Sequence, residues 1–318
     1  MWRPDRSLRG PDRPTLGDIE PLNRVFADAF TDRYGRDGLV GVRVPHLNTL
    51  VWRYALEDAG DGAMIWRDAD GQIVAFNMVH QSGAEGWMGP LAVRPDRQGE
   101  GLGSTMVRLG IDWLKGQGAR TIGLETMPRT VENIGFYSRL GLVPGPLTVT
   151  LVHDVPRRAD APPELLSASG HQLARRLEEC RRLTGELAPG VDFSREITLT
   201  RDLGIGDTTL LRDGGDLLAF ALWHSTPLAA GRSQDEVRVL KLVARSLGAF
   251  EWLLDGLHGT AAGERVGRIA IRCQTEYPDA YLRLIGAGYR VHWTDLRMIL
   301  PEFPLRPRQG IVLSNWEI

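Results

Sequence analysis

Apolar positions recur at the spacing of β-strands along residues 63–81, on either side of a polar turn at 68–71. Two such runs joined by an Asp/Gly turn predict a β-hairpin. The pattern returns at 210–226, and "FYSRLGLVPG" at 136–145 has a looser counterpart in "YLRLIGAGYRV" at 281–291. We therefore predict two copies of one fold. The matched positions are Arg67-Asp68 with Arg212-Asp213, Ala75-Phe76 with Ala219-Phe220, and His80 with His224.

The rest of the first copy mixes helical and strand-like patterns. Helical spacing of apolar residues predicts helices over about 17–31, 46–57, 103–116 and 131–140, the first one capped by Thr15 or Asp18. Strand-like runs cover about 86–93, 120–126 and 146–153. Because strands and helices mix without strict alternation, we predict an α+β fold with a mixed, mainly antiparallel central sheet in each copy.

Proline and polar residues cluster at 156–170, as is typical of a linker. We therefore divide the chain into an N-terminal domain at 1–155, a linker at 156–165 and a C-terminal domain at 166–318. The last segment, 309–318, is strand-like and is expected to pair with an edge of either domain. Within it, Trp316 is expected in a core or an interface.

Composition narrows the class of protein. The 318 residues carry a formal net charge of -2. Proteins that bind nucleic acid or membrane surfaces usually have an excess of basic residues, so the charge argues against both classes. Two cysteines without metal-ligand spacing around them indicate free thiols and no metal site. The N-terminus has no apolar core and no run is long enough to span a membrane, so we expect a cytoplasmic protein. The excess of Arg over Lys is typical of a bacterium with a GC-rich genome.

Three alternating glycines, Gly99, Gly101 and Gly103, stand between a predicted strand and a predicted helix. The first N–H groups of a helix lack intrahelical partners, and together with the helix dipole they attract anions. Glycine permits unusual backbone angles and lets a phosphate reach the backbone. The spacing fits neither a Walker loop nor a Rossmann fingerprint. We predict a cradle for a pyrophosphate.

The loop "QGEGLG" at 98–103 resembles the [RQ]-x-x-G-x-[GA] signature of GNAT-type N-acetyltransferases. "ENIGFYSRLGL" at 132–142 is similar to a second family feature, the Asn-x-x-Phe-Tyr-x-x-x-Gly-Phe helix, with Leu142 at the usual Phe position. The resemblance covers 15–153 well and 165–301 in outline. It implies two tandem GNAT folds and acetyl-CoA as the acyl donor.

The resemblance also implies roles for individual residues. The strand end would offer backbone hydrogen bonds to the pantetheine arm, the loop would hold the pyrophosphate, and Asn133 would contact the coenzyme. Tyr137 would protonate the departing thiolate, or it is a buried aromatic residue packed against coenzyme or core. Arg97 contacts phosphate or is solvated. The implied coenzyme contacts are Leu91, Ala92, Val93, Arg97, Gln98, Gly99, Gly101, Gly103, Ser104, Asn133 and Tyr137.

A general base must remove the proton of the acceptor ammonium. Glu85, before the strand that leads to the loop, and Glu125, on the next strand, are candidates. His80 is a third, but His224 repeats it in the other copy, and this favours a structural role for both histidines.

The second copy lacks both functional features. Its strand and helix at 239–257 are joined by a loop whose only glycine is Gly248, and Leu284 stands where the first copy has Tyr137. We predict a degenerate domain that has lost coenzyme binding and shapes the acceptor pocket.

The function predicted from the sequence is transfer of an acyl group, expected to be acetyl, from coenzyme A to a primary amine of a small molecule or peptide. The alternative is a non-catalytic acyl-CoA-binding sensor or scaffold. Two linked copies suit a monomer that is a pseudo-dimer, and a homodimer is the other option. The sequence identifies neither the acceptor nor the acyl chain length.

Overall fold

The structure is a computed structural model that describes residues 7–155 and 164–316. Most of the predicted linker, residues 156–163, therefore lies outside the described residues. In the first half the elements are β1 (Arg9–Asp12), α1 (Ile19–Arg36), α2 (Thr49–Ala59), β2 (Ala63–Arg67), β3 (Ile73–Ser82), β4 (Glu85–Val93), α3 (Leu102–Gly116), β5 (Thr121–Thr126), α4 (Val131–Ser138) and β6 (Val143–Asp154).

The second half repeats this order and adds one strand at its end. Its elements are β7 (Glu164–Leu165), α5 (Leu173–Leu187), α6 (Ser194–Leu203), β8 (Gly206–Asp213), β9 (Asp216–His224), β10 (Glu236–Ala244), α7 (Leu247–Gly263), β11 (Arg268–Gln274), α8 (Pro278–Gly286), β12 (Arg290–Ile299) and β13 (Ile311–Ser314). The repeat predicted from the two hairpins is thus confirmed element by element.

The predicted start of the first helix is also confirmed. Asp18 precedes α1, and both the N–H and the hydroxyl of Thr15 donate to its Oδ2, at 2.9 and 3.0 Å. These two hydrogen bonds close the turn that leads into the helix. Within the described ranges, no helix is long and apolar enough to cross a bilayer.

All the described strands belong to one sheet, in the order β1-β2-β3-β4-β5-β12-β6-β11-β10-β9-β8-β7, with β13 paired to β10. The pairs β4–β5 and β10–β11 are parallel, and the others are antiparallel. This agrees with the predicted mixed, mainly antiparallel sheet. Helices α1 and α2 cover one face of the first half, and α3 covers the other.

The two halves exchange their last strands. β12 lies against β5, with Leu296 opposite Thr126, whereas β6 lies against β11, with Leu151 opposite Ile271. β6 and β12 also pair with each other in the middle of the sheet. The division of the chain near 155 is therefore not a division of the sheet. The part of the sheet that carries the glycine loop is completed by a strand of the second half.

The helix after the loop packs as its apolar stripe predicts. Met106, Val107, Ile111 and Leu114 are all buried in the core between α3 and the sheet. Gly110 allows this close packing, because a Cβ at this position would come within 2.8 Å of the Met88 sulfur. The core thus fixes α3, and with it the loop at its N-terminus.

The two repeated histidines are buried where the halves meet. His80 Nδ1 lies 2.7 Å from Asp58 Oδ2, and Arg195 of the second half donates to the other oxygen of Asp58 at 2.9 Å. His224 Nε2 lies 2.9 Å from the Thr200 hydroxyl. Because both rings are held by partners inside the protein, the structural role predicted for them fits the geometry.

Glu196 makes the stability of this junction depend on pH. Burial and the nearby Asp58 charge raise its pKa from 4.5 to about 7. Between these values the folded protein holds a proton that the unfolded chain has lost, so stability falls as pH rises. We expect Glu196→Gln, which keeps the shape, to reduce the variation of the free energy of unfolding between pH 5 and pH 8. Urea denaturation at several pH values measures this. The exposed Glu186→Gln should keep the wild-type slope, and the same slope in Glu196→Gln would contradict the prediction.

Candidate functional site

A cleft opens in the sheet where β4 and β5 separate. Their parallel pairing runs from Glu85 opposite Thr121 to Met88 opposite Leu124 and stops there. On its other edge β4 bulges, since two residues, Gly89 and Pro90, lie between the pairs that Met88 and Leu91 make with β3. The edge of β4 beyond Met88 therefore faces a cleft of about 620 Å³ instead of a neighbouring strand.

The cleft collects the residues that the two sequence motifs pointed to. They come from the end of β4, the loop, the first turn of α3 and helix α4, four segments that the core brings to one opening. The predicted contact residues that line it are Leu91, Ala92, Val93, Arg97, Gln98, Gly99, Gly101, Gly103, Ser104, Asn133 and Tyr137. Their contact with a coenzyme remains a prediction.

The three glycines of the loop differ in backbone conformation and in surroundings. Gly99 and Gly101 adopt φ angles of +81° and +86°, which side chains rarely tolerate, and no heavy atom lies within 4 Å of a Cβ built on either. Gly103 is helical, and its Cβ would lie 3.4 Å from the Phe136 ring. The first two glycines thus shape a backbone that faces open space, whereas a Cβ on Gly103 would make only an ordinary contact with α4.

The loop also delivers positive charge to this end of the cleft. Arg97 is buried and its Nε donates to Glu100 Oε2 at 3.1 Å, which helps to fix the guanidinium. Gly101 precedes α3 directly, so the N–H groups of Leu102, Gly103 and Ser104 belong to the first helical turn. A helix N-terminus, a left-handed loop and an arginine together suit a phosphate group.

Tyr137 lies on α4 and is 6% exposed. Burial raises the pKa of its hydroxyl well above the ordinary value, so the group stays protonated at neutral pH. Asn133, one turn earlier, donates weakly to the Thr126 hydroxyl at 3.5 Å. Both side chains line the cleft, and Tyr137 can therefore act as a hydrogen-bond or proton donor there.

Two carboxylates from different halves lie at the other end of the cleft. Glu125 of β5 accepts from Arg272 Nη2 at 2.6 Å, from Arg297 Nε at 2.9 Å and from the Thr148 hydroxyl at 2.6 Å. Burial opposes ionisation of Glu125, but these cations outweigh it and hold its pKa below the ordinary value. Asp295 of β12 shares Nη2 of Arg272, also at 2.6 Å.

The structure separates Glu85 from the cleft. Glu85 begins β4, where the pairing with β5 is intact, and its carboxylate is buried in an ion pair with Arg308. Of the two glutamates predicted as bases, Glu125 lines the cleft and Glu85 lies at the opposite end of its strand. His80 belongs to the junction described above.

Several residues of the cleft were missed by reasoning from the sequence. Arg272, Asp295 and Trp316 of the second half line it, and so does Arg33 of α1. Trp316 packs against Trp87 with ring centroids 5.3 Å apart and against the Lys241 ammonium at 3.9 Å. It is therefore an interface residue, as predicted, and it also forms part of the wall. The strand exchange brings Asp295 on β12 to the cleft, and no local motif in the sequence marks that exchange.

The equivalent space in the second half is filled by protein. β10 pairs with β11 only as far as Val239, and from Lys241 to Ala244 it pairs with β13 instead. The start of α7 is capped by the Ser246 hydroxyl, which accepts from the Ala249 N–H at 3.2 Å. Leu284 is buried in the core. The final strand thus occupies the position of the cleft, which fits the predicted loss of coenzyme binding in this half.

Residues 26–142 match the Acetyltransferase (GNAT) family. A stretch of 78 residues is 35% identical to mycothiol acetyltransferase of Streptomyces coelicolor (strain ATCC BAA-471 / A3(2) / M145). That match covers 24% of this chain and 25% of the relative, so it spans about a quarter of the relative's length.

Solved structures match over nearly the whole chain. A GCN5-related N-acetyltransferase from Sphaerobacter thermophilus has a TM-score of 0.60 at 17% identity, and the match covers 99% of this chain and 100% of that one. Saccharomyces cerevisiae N-myristoyltransferase with bound myristoyl-CoA has a TM-score of 0.65 at 10% identity, covering 98% and 81%. At such identities these matches establish the fold.

Proposed function

The chain belongs to the GNAT superfamily of N-acetyltransferases through its N-terminal half, and on that premise we propose that it transfers an acetyl group from acetyl-CoA to a primary amine of a small molecule or peptide. The active site of this proposal is the cleft between β4 and β5. The observation that carries it is the convergence of the glycine loop, the β4 edge and Tyr137 on that one cleft.

The residues of the cleft suit an acyl-CoA. Gly99 and Gly101 leave open space above a left-handed backbone, and the first turn of α3 and Arg97 provide positive charge for a pyrophosphate. The edge of β4 beyond Met88 offers backbone groups to the amides of a pantetheine arm. A coenzyme bound in this way would extend from the loop past Leu91 to Tyr137 and Glu125, where its acyl group would lie.

Acyl-CoA brings an acyl group already activated as a thioester, so the protein needs to supply position and proton transfer. The β4 backbone orients the carbonyl and can polarise it through an N–H group. Tyr137, protonated at neutral pH, donates toward the sulfur as the carbon–sulfur bond breaks. A carboxylate at the acceptor end removes the proton of the ammonium.

The proposal is tested by two measurements on the full chain. Calorimetry should detect binding of coenzyme A at one site, and thiol release from acetyl-CoA should accelerate with at least one member of a panel of aliphatic, aromatic, sugar and peptide amines. Binding of coenzyme A without turnover across the panel would favour the sensor or scaffold. Absence of binding would contradict the proposal altogether.

A further inference from the structure

We infer that Asp295, which the second half supplies on its exchanged strand, is the general base that takes the proton from the acceptor ammonium. The inference deepens the proposed function and rests on it. It starts from the position of β12, which lies between β5 and β6 and so projects residues of the second half into the cleft of the first.

Charged groups lie at both ends of the cleft. Arg97 and the start of α3 form one end, which suits phosphate. Glu125, Asp295 and Arg272 form the other, with Trp316 beside them. An ammonium group is attracted to carboxylates, and it must reach the acyl carbon from the end opposite the phosphates.

The two carboxylates at this end differ in their partners. Glu125 is held by two arginines and a hydroxyl, so its negative charge is fully committed and its pKa is lowered. Asp295 accepts two hydrogen bonds, one from Arg272 Nη2 at 2.6 Å and one from the Trp293 indole N–H at 3.2 Å. A carboxylate with fewer and weaker partners holds a transferred proton more readily.

The electrostatic environment of Asp295 acts in the same direction. Burial and the Glu125 charge raise the pKa of Asp295, and they outweigh Arg272 and the Trp293 hydrogen bond, which lower it. Tyr34 of α1 is the other titratable group that interacts with it, and Asp295 in turn raises the pKa of that phenol. Asp295 is thus a stronger base than an exposed aspartate.

A second groove lies along the part of β12 that precedes Asp295. This groove of about 370 Å³ is lined by Met127, Pro128 and Arg129 and by residues 291–294 of β12, which lead directly to Asp295. It shares Met127 with the cleft. An amine with an apolar body could lie along Val291 and Trp293 and present its ammonium to the carboxylate.

The transfer then balances as follows. Asp295 takes one proton from the ammonium, and the freed electron pair on nitrogen forms the bond to the acyl carbon. The carbon–sulfur bond breaks with its electron pair on sulfur, which takes a proton from Tyr137. The nitrogen gives its second proton to the tyrosinate, and Asp295 releases its proton to the solvent.

The experiment compares Asp295→Asn, Asp295→Glu and wild type with acetyl-CoA and the panel amine that wild type acetylates fastest. We expect Asp295→Asn to lower kcat/KM by about 100-fold, to lose the acidic limb of the pH profile and to keep the wild-type Kd for coenzyme A. Asp295→Glu should restore part of the rate. Activity within threefold of wild type and an unchanged acidic limb in Asp295→Asn would overturn this inference and leave the proposed function standing.

Trp293→Phe provides a second test that does not remove the carboxylate. Without the indole hydrogen bond the pKa of Asp295 rises, so the acidic limb of kcat/KM should move to higher pH. Trp252→Phe, on the exposed side of α7, is the matched control and should leave the profile in place. An unmoved limb in Trp293→Phe contradicts the inference. If wild type acetylates no amine, the proposed function and this inference fail together.

Discussion

Replacing Tyr137 with phenylalanine is expected to lower kcat by about 10²–10³-fold and to leave the Kd for coenzyme A unchanged. The ring keeps its volume, so its contact with the Phe136 ring and its place in the core beside β5 are preserved. Only the hydroxyl is lost, and with it the proton that burial keeps on this group at neutral pH. The departing sulfur would then leave as an unassisted thiolate.

Steady-state kinetics with thiol detection measures this effect, and calorimetry measures the coenzyme affinity. Tyr281→Phe is the matched control, because Tyr281 lies on α8, the counterpart of α4 in the half that lacks a cleft. It should change kcat less than twofold. A Tyr137→Phe protein with kcat near wild type would assign the hydroxyl to packing and remove it from the mechanism.

Gly101→Val is expected to weaken binding of coenzyme A by several-hundred-fold. A β-branched residue is strained at φ +86°, so the loop would relax to another shape and binding would have to restore the strained one at a cost of about 1–3 kcal/mol. The side chain would also enter the open space in front of the loop and displace charge-assisted hydrogen bonds to phosphate, each worth about 1.5–3 kcal/mol. Together these terms reach about 3–4 kcal/mol, where 1.4 kcal/mol is tenfold.

The chain offers a control for the backbone effect. Gly118 also has a positive φ, +77°, with no atom within 4 Å of a built Cβ, but it follows the opposite end of α3. Gly118→Val should lower thermal stability to a similar extent and leave the Kd for coenzyme A as in wild type. Equal losses of affinity in both variants would mean that the effect comes from destabilised folding and would contradict a phosphate cradle at 98–104.

Local patterns predicted what lies close together along the chain. The hairpins, the helix stripe of α3 and the left-handed loop depend on contacts over a few residues, so composition and spacing were sufficient to predict them. Tyr137 and Asn133 could be named because the helix that carries them resembles a feature of the GNAT family. Each of these elements exists in the structure within a few residues of its predicted bounds.

The acceptor end could not be predicted in the same way. The two halves have closing strands of similar pattern, and alternation alone does not say which strand pairs with β5. Asp295 and Arg272 therefore had no signal that linked them to the glycine loop. The predicted bases Glu85 and Glu125 were chosen for their positions on the strands around the loop, and their ion pairs with Arg308, Arg272 and Arg297 involve the distant half.

The sequence by itself determined the repeat, the α+β class, and the presence of a glycine loop in the first half and its absence from the second. Tertiary structure alone decided that the closing strands change places and that the open cleft is built by both halves. It also decided that β13 fills the space beside β10 that corresponds to the cleft. The physical reason is that strand pairing is a long-range choice, made by the packing of the whole sheet, whereas a loop conformation is set by the residues within it.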